Sequence, residues 1–173
     1  MNIVLTGFMG TGKSVTGRWL GKELGLPFLD TDDLIEEKVS MKIPEIFEKH
    51  GEPYFRKVET EVIRDVVSSS NDIVLASGGG AVLNEENYRL LSQWGTIVRL
   101  RASVDCIYKR VRTKFTRPLL ADSTDLRSDI EKILNDREPF YDKAQFTVDT
   151  DDREIKEVTE EIIELLNSGD YGS

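Results

Sequence analysis

Short apolar runs alternate with amphipathic segments along the whole chain. Residues 3–5, 27–29, 73–76, 97–100 and 146–148 are mostly apolar and lack a clean period of two. Strands buried on both faces read this way, because neither face needs polar side chains. Between them, apolar residues recur at helical spacing over about 13–24, 34–39, 53–67, 85–94, 104–112, 126–141 and 152–166. In the last of these, Ile155, Val158, Ile162, Leu165 and Leu166 fall on one stripe. Strand followed by helix, repeated, predicts an α/β fold with a parallel sheet. Two segments resist regular structure: 114–125, KFTRPLLADSTD, and the tail 168–173, SGDYGS, which is expected to fray.

Composition narrows the class. At 173 residues, 39% hydrophobic and 32% charged, the chain reads as one folded, soluble domain. No apolar stretch is long enough to cross a bilayer, and the first residues carry no basic leader, so the cytoplasm is the expected compartment. A single cysteine, Cys106, forms no internal disulfide and reads as a core thiol. His50 reads as a surface residue near a helix end and Trp94 as packing. The net charge of −9 argues against nucleic acid or an anionic membrane as partner. An anionic small molecule would need local clusters of Arg and Lys to overcome that field.

The candidate chemistry begins at Gly7–Ser14, GFMGTGKS, which fits G-x-x-x-x-G-K-[ST] between a strand and a helix. Such a loop turns backbone N–H groups around phosphate oxygens, with the helix N-terminus behind them. Lys13 is expected to reach the β- and γ-phosphates and the Ser14 hydroxyl to ligate Mg²⁺. Next, Asp30-Thr31-Asp32-Asp33 follows the second apolar run. Acids at the carboxyl end of a strand face the ligand crevice of an open sheet. One is expected near Mg²⁺ and another as acceptor of a hydroxyl proton. Thr31 or Asp33 is the expected cap of the helix that follows.

Two arginines sit in apolar company. Arg56 lies beside Tyr54 and Phe55, one turn from Glu59; Arg137 continues the stripe of Ile130, Ile133 and Leu134. A guanidinium there needs an anion, either an internal acid or a substrate carboxylate held by its fork. Finally, DIVLASGGGAVL at 72–83 ends a strand on three glycines, Gly78, Gly79 and Gly80. Each costs backbone entropy, so something is expected to approach the main chain closely.

Taken in order, GFMGTGKS at Gly7–Ser14, DTD at Asp30–Asp32, FRKVE at Phe55–Glu59, SGGGAV at Ser77–Val82 and RPLL at Arg117–Leu120 resemble shikimate kinase, a P-loop family of the nucleoside-monophosphate-kinase-like group. The resemblance spans nearly the whole chain. It implies a single P-loop kinase domain: a three-layer fold with a five-stranded parallel sheet, order 2-3-1-4-5, flanked by helices, and a mobile lid at about 112–125. It also implies transfer of the ATP γ-phosphate to the 3-hydroxyl of shikimate, with Mg²⁺, by a monomer that needs no nucleic acid or membrane. Carried over by residue, Gly10, Thr11, Gly12, Lys13, Ser14 and Thr16 hold the phosphates and the metal, with Asp30 supporting the metal through water. Asp32 binds substrate hydroxyls and acts as the base. Arg56, Arg137 and the backbone at Gly78, Gly79 and Gly80 bind shikimate, with Phe47 and Phe55 lining its pocket. Arg117 comes down with the lid onto the transferring phosphate. Arg110 packs on adenine, with Arg112 as the competing register. A kinase of another small hydroxylated acid, such as gluconate, is the nearest rival; a nucleotide-binding regulator with a degenerate site is the rival from another class.

Overall fold

The computed structural model describes residues 1–112, 120 and 123–169. Strands β1 (Ile3–Thr6), β2 (Phe28–Asp30), β3 (Val74–Ala76), β4 (Thr96–Arg101) and β5 (Phe146–Asp149) form one sheet in the order β2-β3-β1-β4-β5. Every pairing is parallel. This is the order the family resemblance implies. The helices are α1 (Lys13–Leu24), α2 (Thr31–Val39), α3 (Ile43–Ser69), α4 (Glu85–Trp94), α5 (Val104–Val111), α6 (Leu126–Tyr141) and α7 (Ile155–Ser168), with a 3₁₀ turn at Ala81–Leu83.

The apolar run of β1 is split residue by residue between two layers. Ile3 and Leu5 pack with Leu20 of α1 and Val158 and Ile162 of α7. Val4 packs with Ile63 of α3, Leu91 of α4, Ile107 of α5 and Ile130 of α6. A strand with helices on both faces needs no polar side chain, which is why its sequence shows no alternation. A third cluster joins Ile35 of α2 to Ile46, Phe55, Val58 and Val62 of α3, and builds a lobe beside the sheet.

The elements differ from expectation at several ends. α2 starts at Thr31, where 34 was expected. α3 is longer than the expected 53–67, because a first segment precedes it: Gly51, at φ 78° and ψ 170°, breaks the helical dihedrals between two segments. Pro53 falls in the first turn of the second segment, where a missing N–H costs nothing. The Gly51–Pro53 signature therefore reads as a start and hides the segment before it. α7 begins at Ile155, where 152 was expected, because Glu154 and Glu157 close a capping box. Ser168 still belongs to α7, where the tail was expected to fray, and 170–173 lie outside the described residues. So does most of the expected lid, including Arg117.

Cys106 is half-buried against the core, and burial pushes its thiol pKa up. His50 is exposed and stacks on Tyr54, while Trp94 packs and donates its indole N–H to Ser70 O. Among the described residues no helix is long and apolar enough to cross a membrane.

Candidate active site

The carboxyl ends of β1, β2 and β3 open onto one crevice, where the connection after β1 runs toward β2 and the one after β3 runs the opposite way toward β4, the usual ligand position of such sheets. After β1, Gly10 and Gly12 take φ +78° and +91°, conformations that L side chains rarely adopt. Gly12 is also the N-cap of α1 and supplies no capping side chain, so the first N–H groups of the helix stay available for an anion. Lys13 Nζ folds back over the loop, 2.9 Å from both Gly7 O and Phe8 O. The buried Thr11 hydroxyl donates to Phe8 O at 2.8 Å, so Thr11 can offer a phosphate only its backbone. Thr16 is buried behind Gly12.

Asp30 caps α2, which corrects the expectation of Thr31 or Asp33. Its Oδ1 accepts the Asp32 N–H at 3.0 Å, and its Oδ2 accepts the Ser14 hydroxyl at 2.5 Å. The Thr31 hydroxyl instead accepts the Gly78 N–H at 2.8 Å and ties β2 to the end of β3. Among the described residues no three His, Cys, Asp or Glu side chains gather to hold a metal on their own. Hard oxygens from Ser14 and Asp30, in contact at the phosphate loop, suit Mg²⁺ arriving with a polyphosphate, since that ion keeps waters and takes few protein ligands.

The nucleotide end of the crevice is a cleft of about 470 Å³ lined by the loop, Asp30, Asp32, Gly78, Gly79, Arg110, Thr150, Arg153 and Ile155. Arg110 rather than Arg112 lies here. Its Nη1 donates to Gly10 O at 3.0 Å and Thr150 Oγ1 at 3.1 Å, and its Nη2 to Thr150 O at 2.8 Å. That fixes the edge of the guanidinium. Arg112 is exposed over Tyr108 and does not line the cleft. Thr150, Arg153 and Ile155 had no motif to announce them.

A smaller cavity, about 80 Å³, adjoins the first and is lined by Met9, Asp32, Ile43, Phe47, Phe55, Arg56, Glu59, the three glycines and Arg137. Met9, Asp32, Gly78 and Gly79 border both. The paired rings of Phe47 and Phe55, 4.8 Å apart, make one wall. Among the predicted residues, only Arg117 falls outside the described chain; the others converge on these two cavities or on the loop between them.

The glycine triplet has a more specific cause than expected. A Cβ on Gly78 would lie 2.6 Å from Glu59 Oε1, and one on Gly80 would lie 2.5 Å from Arg56 Nη2. A Cβ on Gly79 would touch the backbone of Gly7 and Met9 at 3.4 Å. The close approach is thus first by this chain's own side chains. Glu59, 1% exposed, binds Arg56 Nη1 at 2.9 Å, while Glu52 takes the outer edge of the same guanidinium. Glu59, which the sequence offers as an internal partner for Arg56, also lines the cavity, which was not expected. An acid on the buried stripe of Phe55, Val58 and Val62 was its signal. Burial raises its pKa despite Arg56, and its Oε1 has no hydrogen-bond partner among the described residues.

Arg137 differs from Arg56. It is buried, stands 5.7 Å over the Phe8 ring of the phosphate loop, and has no ion pair with any described carboxylate. It faces the Tyr141 hydroxyl, which donates to Gly79 O at 2.6 Å. An arginine whose face is packed and whose fork lines a cavity is ready for an external anion.

Comparison with known proteins agrees with this geometry. The shikimate kinase family model matches residues 9–167. A shikimate kinase of Caldanaerobacter subterraneus subsp. tengcongensis is 44% identical over 162 residues, 94% of either chain. One from Thermodesulfovibrio yellowstonii is 43% identical over 172 residues, covering 97% of this chain and 98% of its own. Among solved structures, shikimate kinase from Acinetobacter baumannii in complex with shikimate aligns with a TM-score of 0.92 at 38% identity, over 96% of this chain and 93% of that one.

Proposed function

The chain belongs to the shikimate kinase family, and we propose that it transfers the ATP γ-phosphoryl group to the 3-hydroxyl of shikimate, giving shikimate 3-phosphate and ADP. The observation that carries this reading is the meeting of two cavities at Asp32, Gly78 and Gly79. One is floored by a phosphate loop, the other by two guanidinium groups and an aromatic wall. Phosphoryl transfer needs little else, because positioning and charge stabilisation do most of the catalysis.

In this reading the loop N–H groups hold the nucleotide phosphates, and Lys13 leaves the Gly7 and Phe8 carbonyls to reach the β- and γ-phosphates. Thr11 and Thr16 contribute from the loop and the first turn of α1. Ser14 and Asp30 would hold Mg²⁺, Asp30 through water; the ion would offset phosphate charge. Arg137 takes the substrate carboxylate, and Arg56, aimed by Glu59, takes carboxylate or hydroxyl oxygens. Asp32 accepts the hydroxyl proton as the new O–P bond forms and the bond from the γ-phosphorus to ADP breaks. The face of Arg110 left open by its edge contacts receives the adenine. Arg117, outside the described residues, is assigned the cation that meets the transferring phosphoryl group.

The rival acceptor, gluconate, is an open polyol, whereas the small cavity and the Phe47–Phe55 wall suit the flat face of a ring. We further assign the protein to the cytoplasm as a monomer without nucleic acid or membrane partner; the charge of −9 supports the lack of polyanionic partners. ADP release from ATP is the test. It is expected to depend on shikimate and to stay at background with gluconate or with ATP alone. Equal release in all three would overturn the assignment.

A further inference from the structure

Arg99 sits on β4 with its side chain 3% exposed, on the same sheet face as Ile97 and therefore toward α6. It contacts neither cavity. Its Nη2 donates to both oxygens of Glu138 at 2.7 Å and its Nη1 to Asp142 Oδ1 at 2.6 Å. Its guanidinium also stands 5.5 Å over the Tyr141 ring. A buried arginine is costly unless paired, and among the described residues this one pairs with groups at the end of α6.

The end of α6 needs such an anchor. Pro139 lies inside the helix and cannot donate to Asn135 O, which leaves a gap in the ladder of the turn that carries Arg137. Glu138 and Asp142 flank that proline, and Arg99 fastens both to the sheet. Tyr141, held between them, fixes Gly79 O, and Arg137 faces its hydroxyl.

We propose that Arg99 is a positioning residue for the acceptor end of the cleft: by clamping Glu138 and Asp142 across Pro139, it sets the place of the Arg137 fork. This rests on the assignment of Arg137 to the shikimate carboxylate. Arg99 also offsets the charge of Glu138 and Asp142, so that these two carboxylates of the helix end oppose an incoming anion less.

The test is a double-mutant cycle. Arg99→Met and Arg137→Ala are made singly and together, with KM for shikimate, KM for ATP, kcat and thermal unfolding measured on each. Arg99→Met is expected to raise KM for shikimate about 10-fold, inside the roughly 10²-fold that a misplacement of about 1 Å can cost, with KM for ATP and kcat within about twofold. In the Arg137→Ala background it is expected to add less than about twofold. Arg99→Lys, which keeps the charge without the fork, is expected to recover part of the loss. The combined Glu138→Gln and Asp142→Asn variant cuts the same clamp from its more exposed side, at groups 40% and 62% exposed, and is expected to repeat the effect should Arg99→Met not fold. A lower melting temperature with unchanged KM, or full additivity with Arg137→Ala, overturns the proposal alone. If Arg137→Ala itself leaves KM for shikimate unchanged, the carboxylate assignment fails and this proposal with it.

Discussion

At the nucleotide end of the cleft, recognition is carried by consecutive residues, Gly7 to Ser14, whose backbone conformation and helix start make the site. At the acceptor end the proposed site is built from side chains of α2, α3 and α6 and the backbone of the glycine turn, which only the fold brings together. Arg56 depends on Glu59, and Arg137 stands over Phe8 beside Tyr141. Phosphates are alike in every nucleotide, so a local loop suffices. A carboxylate and several hydroxyls at set distances need groups whose separation only the fold can impose. The first kind of site survives anywhere its sequence can turn. The second is sensitive to how helices sit on the sheet.

Breaking each end separately sharpens this contrast. The largest effect is expected from Lys13→Ala, which removes the cation matched to the phosphates: a fall in kcat on the order of 10³-fold, with shikimate binding kept. Steady-state rates with calorimetric titration of shikimate check it, and a loss of shikimate affinity of similar size would mean that the two ends are not separable. Asp32 borders both cavities, so Asp32→Asn is expected to damage chemistry more than the binding of either substrate. A fall in kcat of about 10²- to 10⁴-fold follows from losing a general base. If Asp30→Asn proves worse for kcat while nucleotide and Mg²⁺ still bind, the two acids exchange roles.

Gly80→Ala tests the acceptor end through its packing. The backbone there, φ −100° and ψ −2°, accepts any residue, but the new Cβ meets the Arg56 guanidinium. A flexible side chain can yield, so the fold is expected to survive while the fork is displaced, and KM for shikimate to rise about 10-fold at unchanged KM for ATP. An unaltered KM would show that the position of Arg56 does not matter.

The smallest effect concerns Glu59 and pH. Its folded pKa is raised by burial, so the folded state holds its proton more tightly than the unfolded chain. Its contribution to stability is therefore full below the ordinary value of 4.5 and is lost as pH rises through the raised one. Glu59→Gln is expected to remove that particular decline from urea-unfolding curves taken across this window. A wild type and variant with parallel pH profiles would contradict the raised pKa.

The same contrast explains what the sequence made legible. The five strands, the burial of β1, β3 and β4 and the phosphate loop follow from local pattern, because buried runs and glycine spacing are themselves local. β2 is only half-buried and the edge strand β5 alternates buried and exposed residues, against the expectation of two buried faces. The acids and arginines of the acceptor end are recognisable as motifs, and so is Glu59 one turn from Arg56 as its partner, but the contacts to other elements are not. Thr31 or Asp33 reads as the cap of α2 in sequence, yet the Thr31 hydroxyl crosses to Gly78, and Asp30 caps the helix while holding Ser14. The glycine triplet announced a close approach without saying that Glu59 and Arg56 make it. Arg99 carried no signal at all, since a lone charge in a strand acquires meaning only when α6 lands on it. What escaped is the set of contacts between residues far apart in the chain.

The central claim is that the acceptor end selects a carboxylate through Arg137. Calorimetric titration of shikimate and of its uncharged methyl ester into the wild type and Arg137→Ala tests it most directly. Losing a charged hydrogen bond of about 1.5–3 kcal/mol predicts that the wild type binds the acid about 10- to 150-fold more tightly than the variant does, and that the ester binds both weakly and nearly alike. Equal losses for acid and ester, or an unchanged affinity for shikimate in Arg137→Ala, would contradict the account.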